Sequence, residues 1–246
     1  MIYTNEFQDM TVQATSFIGC GNPNANILII GKEAAIAPDN KQQQSWELDS
    51  NIENWKENIN QCKSLEDIKN YPPYNPLYPY KGQIYKVGGD KGTSRTWYQY
   101  QKLLNHILKT PDNKTIKFHE NCFTTDFSAN IAKYSHLTDK SKTQASIDLR
   151  KVMFAHPFFQ HFPIVLVACG HYPKTYGIDL EKLFQVTWKQ PTQPVGRFWL
   201  NIHRGNNPEN PKLLIHTNQL SMASNELIYK IAEYITSFTT EYNIKL

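Results

Sequence analysis

The amino-acid sequence predicts an α/β domain, a three-layer α/β/α sandwich with a mostly parallel central sheet. Three observations predict it. Short β-branched apolar runs, Ile27 to Ile30 and Ile164 to Cys169, are too brief for helices and are bounded by turn residues, as buried strands are. Between them lie longer stretches whose apolar residues recur at helical spacing. Strands alternating with helices favour crossover connections and parallel pairing over hairpins.

The elements follow in order. Residues 1 to 16 read as a short helix or arm leading into a loop of Gly19, Gly21, Asn22, Pro23 and Asn24. The strand Ile27 to Ile30 comes next and ends at Gly31-Lys32-Glu33. From Lys41 to Lys69 the apolar residues Trp46, Leu48, Ile52, Trp55, Ile59, Leu65 and Ile68 keep roughly helical spacing. Tyr71 to Tyr80 holds four prolines and is excluded from helix, because each removes a donor and restricts its predecessor. It reads as an extended aromatic loop that wraps the surface or forms a pocket wall. The stretch of about 41–89 is a long insertion in a single domain spanning 1–246.

A second glycine loop, Val87 to Ser94, offers Thr93 or Ser94 as the cap of a helix from about Arg95 to Leu108. Asn121 to Phe127 reads as the second main strand, Thr143 to Phe154 as a helix and Phe158 to Phe162 as an aromatic lead-in to the strand Ile164 to Cys169. Leu183 to Lys189 and Val195 to His203 alternate as hairpin or edge strands do. Lys212 to His216 is the last parallel-type strand, and Leu220 to Tyr242 closes the chain as a helix with an apolar stripe.

Composition bounds the function. In 246 residues, 40% hydrophobic and 20% charged, there is enough chain to bury a core. A net charge of +4 is compatible with a polyanionic partner, but the basic residues are scattered rather than gathered into a tail. Cysteines at 20, 62, 122 and 169 make no CxxC pair, so free thiols are expected and no metal or other cofactor. The amino terminus lacks a basic-then-apolar segment, and no apolar run approaches membrane-spanning length, so the expected location is the cytoplasm, with no membrane partner.

Polar residues gather at the carboxyl ends of the expected strands, where ligands bind in open α/β sheets. They are Lys32 and Glu33, then Asp126, then His171, then His216 and Asn218. Glu33 suits a general base that positions water, and His216 an electrophile or proton donor. Each also has a plain structural reading: Glu33 as a helix-start carboxylate, Asp126 as a cap on the following turn, His216 as a strand-end side chain bonded to backbone. Cys169 beside Gly170-His171 suggests a thiol nucleophile, but Val167 stands where a nucleophile elbow needs a small residue.

One set of residues carries a resemblance. Gly19-x-Gly21-Asn22-Pro23-x-Ala25-x-Ile27-Leu28-Ile29-Ile30-Gly31-x-Glu33-Ala34 resembles the first motif of the uracil-DNA glycosylase superfamily, closest to its thermophile-type branch. His216-Thr217-Asn218-Gln219-Leu220-Ser221 is similar to that family's His-Pro-Ser-Pro-Leu-Ser motif, and Asn121 to Phe127 to its strand ending in an Asn that reads the base edge. The resemblance implies a uracil-DNA glycosylase-like fold and N-glycosidic cleavage of a uracil or other damaged base flipped out of DNA, single-stranded or duplex. Carried over by position, Glu33 orients water, Asp126 reads the base edge and His216 stabilises charge on the leaving base. Gly31, Lys32 and Asn218 fall in the matched motifs beside the substrate, Leu220 in the loop that wedges into the duplex, and Trp46 is the aromatic proposed to stack on the base. The chain departs from the motif where Lys32 follows Gly31 directly and where Asp126 replaces Asn. An ionised Asp126 accepts but does not donate. A nucleic-acid or nucleotide-binding module without catalysis is the alternative reading of the same scaffold.

Overall fold

The computed structural model describes residues 1–110, 114–134 and 138–246. Its strands are β1 (Cys20–Gly21), β2 (Ile27–Gly31), β3 (Phe123–Asp126), β4 (Ile164–Ala168), β5 (Val186–Trp188), β6 (Gln193–Val195), β7 (Phe198–Gly205) and β8 (Leu213–Thr217). Among the described residues all eight join one sheet, ordered β1-β3-β2-β4-β8-β7-β5, with β6 on β7. The four central strands, β3, β2, β4 and β8, are parallel. Antiparallel strands flank them, β1 on one side and β7 with β5 and β6 on the other. The sheet is therefore mixed, with a parallel centre.

The strand period of two divides the core. Ile27 and Ile29 of β2 pack with Leu166 and Ile215 on one face. Leu28 and Ile30 pack with Val165, Val167 and Leu214 on the other. Apolar side chains point both ways, as they must in strands covered on two faces.

The helices are α1 (Asn5–Gln13), α2 (Lys41–Gln44), α3 (Asn51–Asn60), α4 (Arg95–Leu108), α5 (Lys140–Phe154), α6 (Pro157–Gln160), α7 (Tyr172–Thr175), α8 (Leu180–Phe184) and α9 (Asn225–Glu241). Phe7 of α1, Trp55 of α3, Ile147 of α5 and Phe158 of α6 join the cluster that holds Leu28. Leu103 and Leu104 of α4 and Leu227 and Ile231 of α9 join the cluster that holds Ile27. Ser94 caps its helix as the sequence suggests, accepting from Trp97 N at 3.1 Å, and Ser224 caps the last one, accepting from Leu227 N at 3.2 Å.

Several boundaries differ from the sequence reading, three of them as follows. Leu183 and Phe184 belong to α8 rather than to a strand, because Asp179 caps that turn through Lys182 N at 3.0 Å. The segment 41–69 is not one helix: α2 runs into a π-helical turn at Ser45–Asp49, and α3 stops at Asn60. The last helix starts at Asn225, since Leu220–Met222 forms a separate 3-10 turn.

Candidate functional site

The glycine loop at the head of β2 is a structural staple. Gly21 holds φ +98°, and a Cβ there would stand 2.4 Å from Cys122 O, so only glycine fits. Asn22 accepts from Asn24 N through Oδ1 and donates through Nδ2 to Glu120 O at 2.9 Å. Trp55 Nε1 and Asn51 Nδ2 each donate to Gly19 O at 2.9 Å. These bonds tie the loop to the 3-10 turn before β3 and to α3.

At the carboxyl ends of β2, β3 and β4, where chain order reverses around β2, lies a cavity of about 490 Å³. This is the position where open α/β sheets take ligands, and the volume suits a small ligand. Gly31, Lys32 and Glu33 from the end of β2 and Asp126 from the end of β3 line it, as does Trp46 from the π-helical turn. Gly31 and Asp126 are paired in register. A Cβ on Gly31 would fall 2.3 Å from Asp126 Oδ1, so the glycine is what lets that carboxyl occupy the cavity floor.

The electrostatics are set by burial. Desolvation pushes the Asp126 carboxyl up to about 7, Glu33 and Glu47 add to the rise, and Arg150 offsets part of it. No donor among the described residues bonds that carboxyl; Arg150 Nε binds the Asp126 backbone carbonyl instead, at 2.7 Å. Arg150, 1% exposed, also donates to Phe17 O and to Thr125 Oγ1. It locks the end of β3 to the segment before the glycine loop. Glu33 accepts a hydrogen bond from Tyr172 OH of α7. Lys32 Nζ sits 5.6 Å from the centre of the Tyr172 ring.

A third carboxyl is present. Glu47 takes hydrogen bonds from Tyr80 OH at 2.5 Å and Gln43 Nε2 at 2.7 Å, and burial raises its pKa. Around it stand Trp46, Tyr71, Tyr74, Tyr80 and Trp97. Their rings run in sequence at centroid distances of 5.7 Å (Trp46–Tyr71), 4.6 Å (Tyr71–Tyr80) and 5.2 Å (Tyr80–Trp97). The segment 41–89 thus has two jobs. Trp55, Leu77 and Tyr78 fill the core, while 42–48 and the Tyr71–Tyr80 stretch wall the cavity.

His216, Asn218 and Leu220 of the last motif do not line the cavity with Lys32, Glu33 and Asp126. His216 is 9% exposed, its Nε2 lies 2.7 Å from Gly170 O, and its ring meets Trp199 at 4.8 Å. Desolvation lowers it to about 4, so it stays neutral. Asn218 Oδ1 accepts from Trp199 N at 3.0 Å. Leu220 is fully buried in the core with α4 and α9, which corrects its expected place as a duplex wedge. Alternation along β8 explains the outcome: His216 shares the face of Leu214, and the 3-10 turn folds Leu220 inward. From this segment it is Gln219 that lines the cavity and Met222 that reaches solvent. His171 stacks on Trp199 at 5.5 Å. Cys169 is fully buried with its thiol pushed up by desolvation, the opposite of an activated nucleophile.

Arg150, Glu47 and Tyr172 escape the sequence reading. Arg150 leaves one trace: with Thr143, Ile147 and Phe154 it lies on the buried stripe of α5, where an unpaired Arg is not expected. Glu47 and Tyr172 leave none beyond adjacency to Trp46 and His171. Among the described residues no group of His, Cys, Asp or Glu is arranged to hold a metal ion, and no helix is long and apolar enough to cross a membrane. The chain matches no protein-family model, and a search of curated proteins returns no significant match.

Proposed function

We propose that this protein is a uracil-DNA glycosylase-like enzyme on a three-layer α/β/α scaffold, which draws a uracil or other damaged base out of DNA and hydrolyses its N-glycosidic bond. One observation carries the reading. Glu33 and Asp126, from the ends of neighbouring parallel strands, face one aromatic-walled cavity at the point where chain order reverses. Glu33, held by Tyr172, is the water-orienting base. Asp126 reads the base edge: when neutral, a carboxyl donates and accepts as an amide does, which answers the replacement of Asn. Trp46 and the neighbouring rings supply the stacking surface.

The test is abasic-site formation on single-stranded and duplex oligonucleotides carrying a panel of damaged bases. Glu33→Gln lowers cleavage by about 10² to 10⁴-fold while substrate binding persists. Unchanged cleavage in that variant would sink the role of Glu33.

The position of His216 outside the cavity favours a second reading, a nucleic-acid-binding module without catalysis. Salt-dependent DNA binding with no cleavage across the panel selects it.

A further inference from the structure

We propose that the cavity takes a positively charged planar base, a purine alkylated on a ring nitrogen, in preference to uracil. The binding claim stands on the cavity alone; the cleavage claim rests on the glycosylase reading above.

Carboxyl content is the first argument. Glu33, Glu47 and Asp126 all line the cavity, where a bound cation draws them to their ionised forms, and Lys32 is the only cationic residue among the described residues that line it. The second is hydrogen bonding. Both bonds to the Glu47 carboxyl go to Oε1, which leaves Oε2 without a donor among the described residues, and the Asp126 carboxyl has none. A ligand that satisfies these acceptors must bring N–H groups. An alkylated guanine brings a ring N–H and an amino group on one edge, with a positive ring behind them. Uracil brings one N–H flanked by two carbonyl oxygens, so it offers these acceptors fewer donors than an alkylated guanine does. The third argument is the wall: Trp46, Tyr71, Tyr80 and Trp97 form a continuous run of ring contacts. Their π-faces attract a cation and give a neutral base only stacking.

Placement of His216 agrees with this choice. Uracil departs as an anion and calls for a donor at its carbonyl, yet His216 is bonded to Gly170 O outside the cavity. A ring-alkylated purine departs neutral. Its C1′–N bond breaks with the electron pair passing to the base, which cancels the ring's positive charge. Water adds its oxygen to C1′, and its proton goes to the Glu33 carboxylate. No oxyanion forms on the base, so nothing in the cavity has to stabilise one.

The experiment titrates the full-length protein with 7-methylguanosine and with uridine, following tryptophan fluorescence. The expected result is affinity for 7-methylguanosine about tenfold or more above that for uridine. Glu47→Gln, a variant away from the sheet, reduces that preference, and its unfolding midpoint confirms that it folds. Equal or tighter uridine binding, or a Glu47→Gln protein with unchanged preference, overturns the inference. A second arm incubates the protein with duplex oligonucleotides bearing either 7-methylguanine or uracil and measures the free base released. Binding of 7-methylguanosine without release from either duplex removes the glycosylase reading and leaves the binding inference standing. Release of uracil without 7-methylguanosine binding does the reverse.

Discussion

Replacing Asp126 by Asn isolates the cost of an enclosed carboxylate. In the folded protein the group is raised from 3.8 to about 7, chiefly by desolvation and then by Glu33 and Glu47, against the pull of Arg150. The folded state therefore holds a proton that the unfolded chain has released between those two values, and stability falls as pH rises through that window. Converted at ~1.4 kcal/mol for each pH unit, the displacement is worth about 4 kcal/mol. Water entering the open cavity screens part of it, so the measured contribution should lie between about 2 and about 4 kcal/mol. Asn has nearly the same shape and no such titration. Urea unfolding of wild type and Asp126→Asn from about pH 4 to about pH 8 should show the variant gaining relative stability with pH and levelling off above about 7. A difference that stays constant across the range would refute the reasoning, because it would mean that Asp126 is solvated like a surface carboxylate.

Arg150→Met should cost about 3 to 5 kcal/mol in the same unfolding assay, since the carbonyls of Phe17 and Asp126 and the Thr125 hydroxyl all lose its donors. It should also raise the Asp126 titration further, readable by carboxyl carbon NMR; a loss under about 1 kcal/mol would show that water replaces the guanidinium. Leu220→Ala should destabilise by about 2 to 5 kcal/mol and leave DNA affinity of the folded protein unchanged, because the side chain is core. A clear loss of DNA binding at unaltered stability would return Leu220 to the surface role first expected for it.

Much of the frame is legible in the chain. Ile27 to Ile30, Ile164 to Ala168 and Leu213 to Ile215 announce strands because burial on two faces requires unbroken apolar runs. The cap at Ser94 announces a helix because a free hydroxyl satisfies a helix's first amides. Gly31, Lys32, Glu33 and Asp126 are legible as strand-end groups for the same reason: parallel strands deliver their last residues to one edge. Local pattern reaches no further than its own element. The apolar spacing of 41–69 cannot show that the chain tightens into a π-helical turn and carries Glu47 to the cavity beside Trp46.

By itself the sequence determined the class of fold, the parallel centre of the sheet, and the edge to which Gly31, Lys32, Glu33 and Asp126 are delivered, since these follow from periodicity and from the direction of parallel strands. Tertiary structure alone decided which residues line the cavity. Strand register brought Asp126 over Gly31, and packing of the segment 41–89 raised the wall of Tyr71, Tyr74 and Tyr80. Alternation along β8 turned His216 toward Gly170, and the turn after it folded Leu220 into the core. Each outcome depends on which face of an element meets which neighbour, and that depends on contacts between residues far apart in the chain.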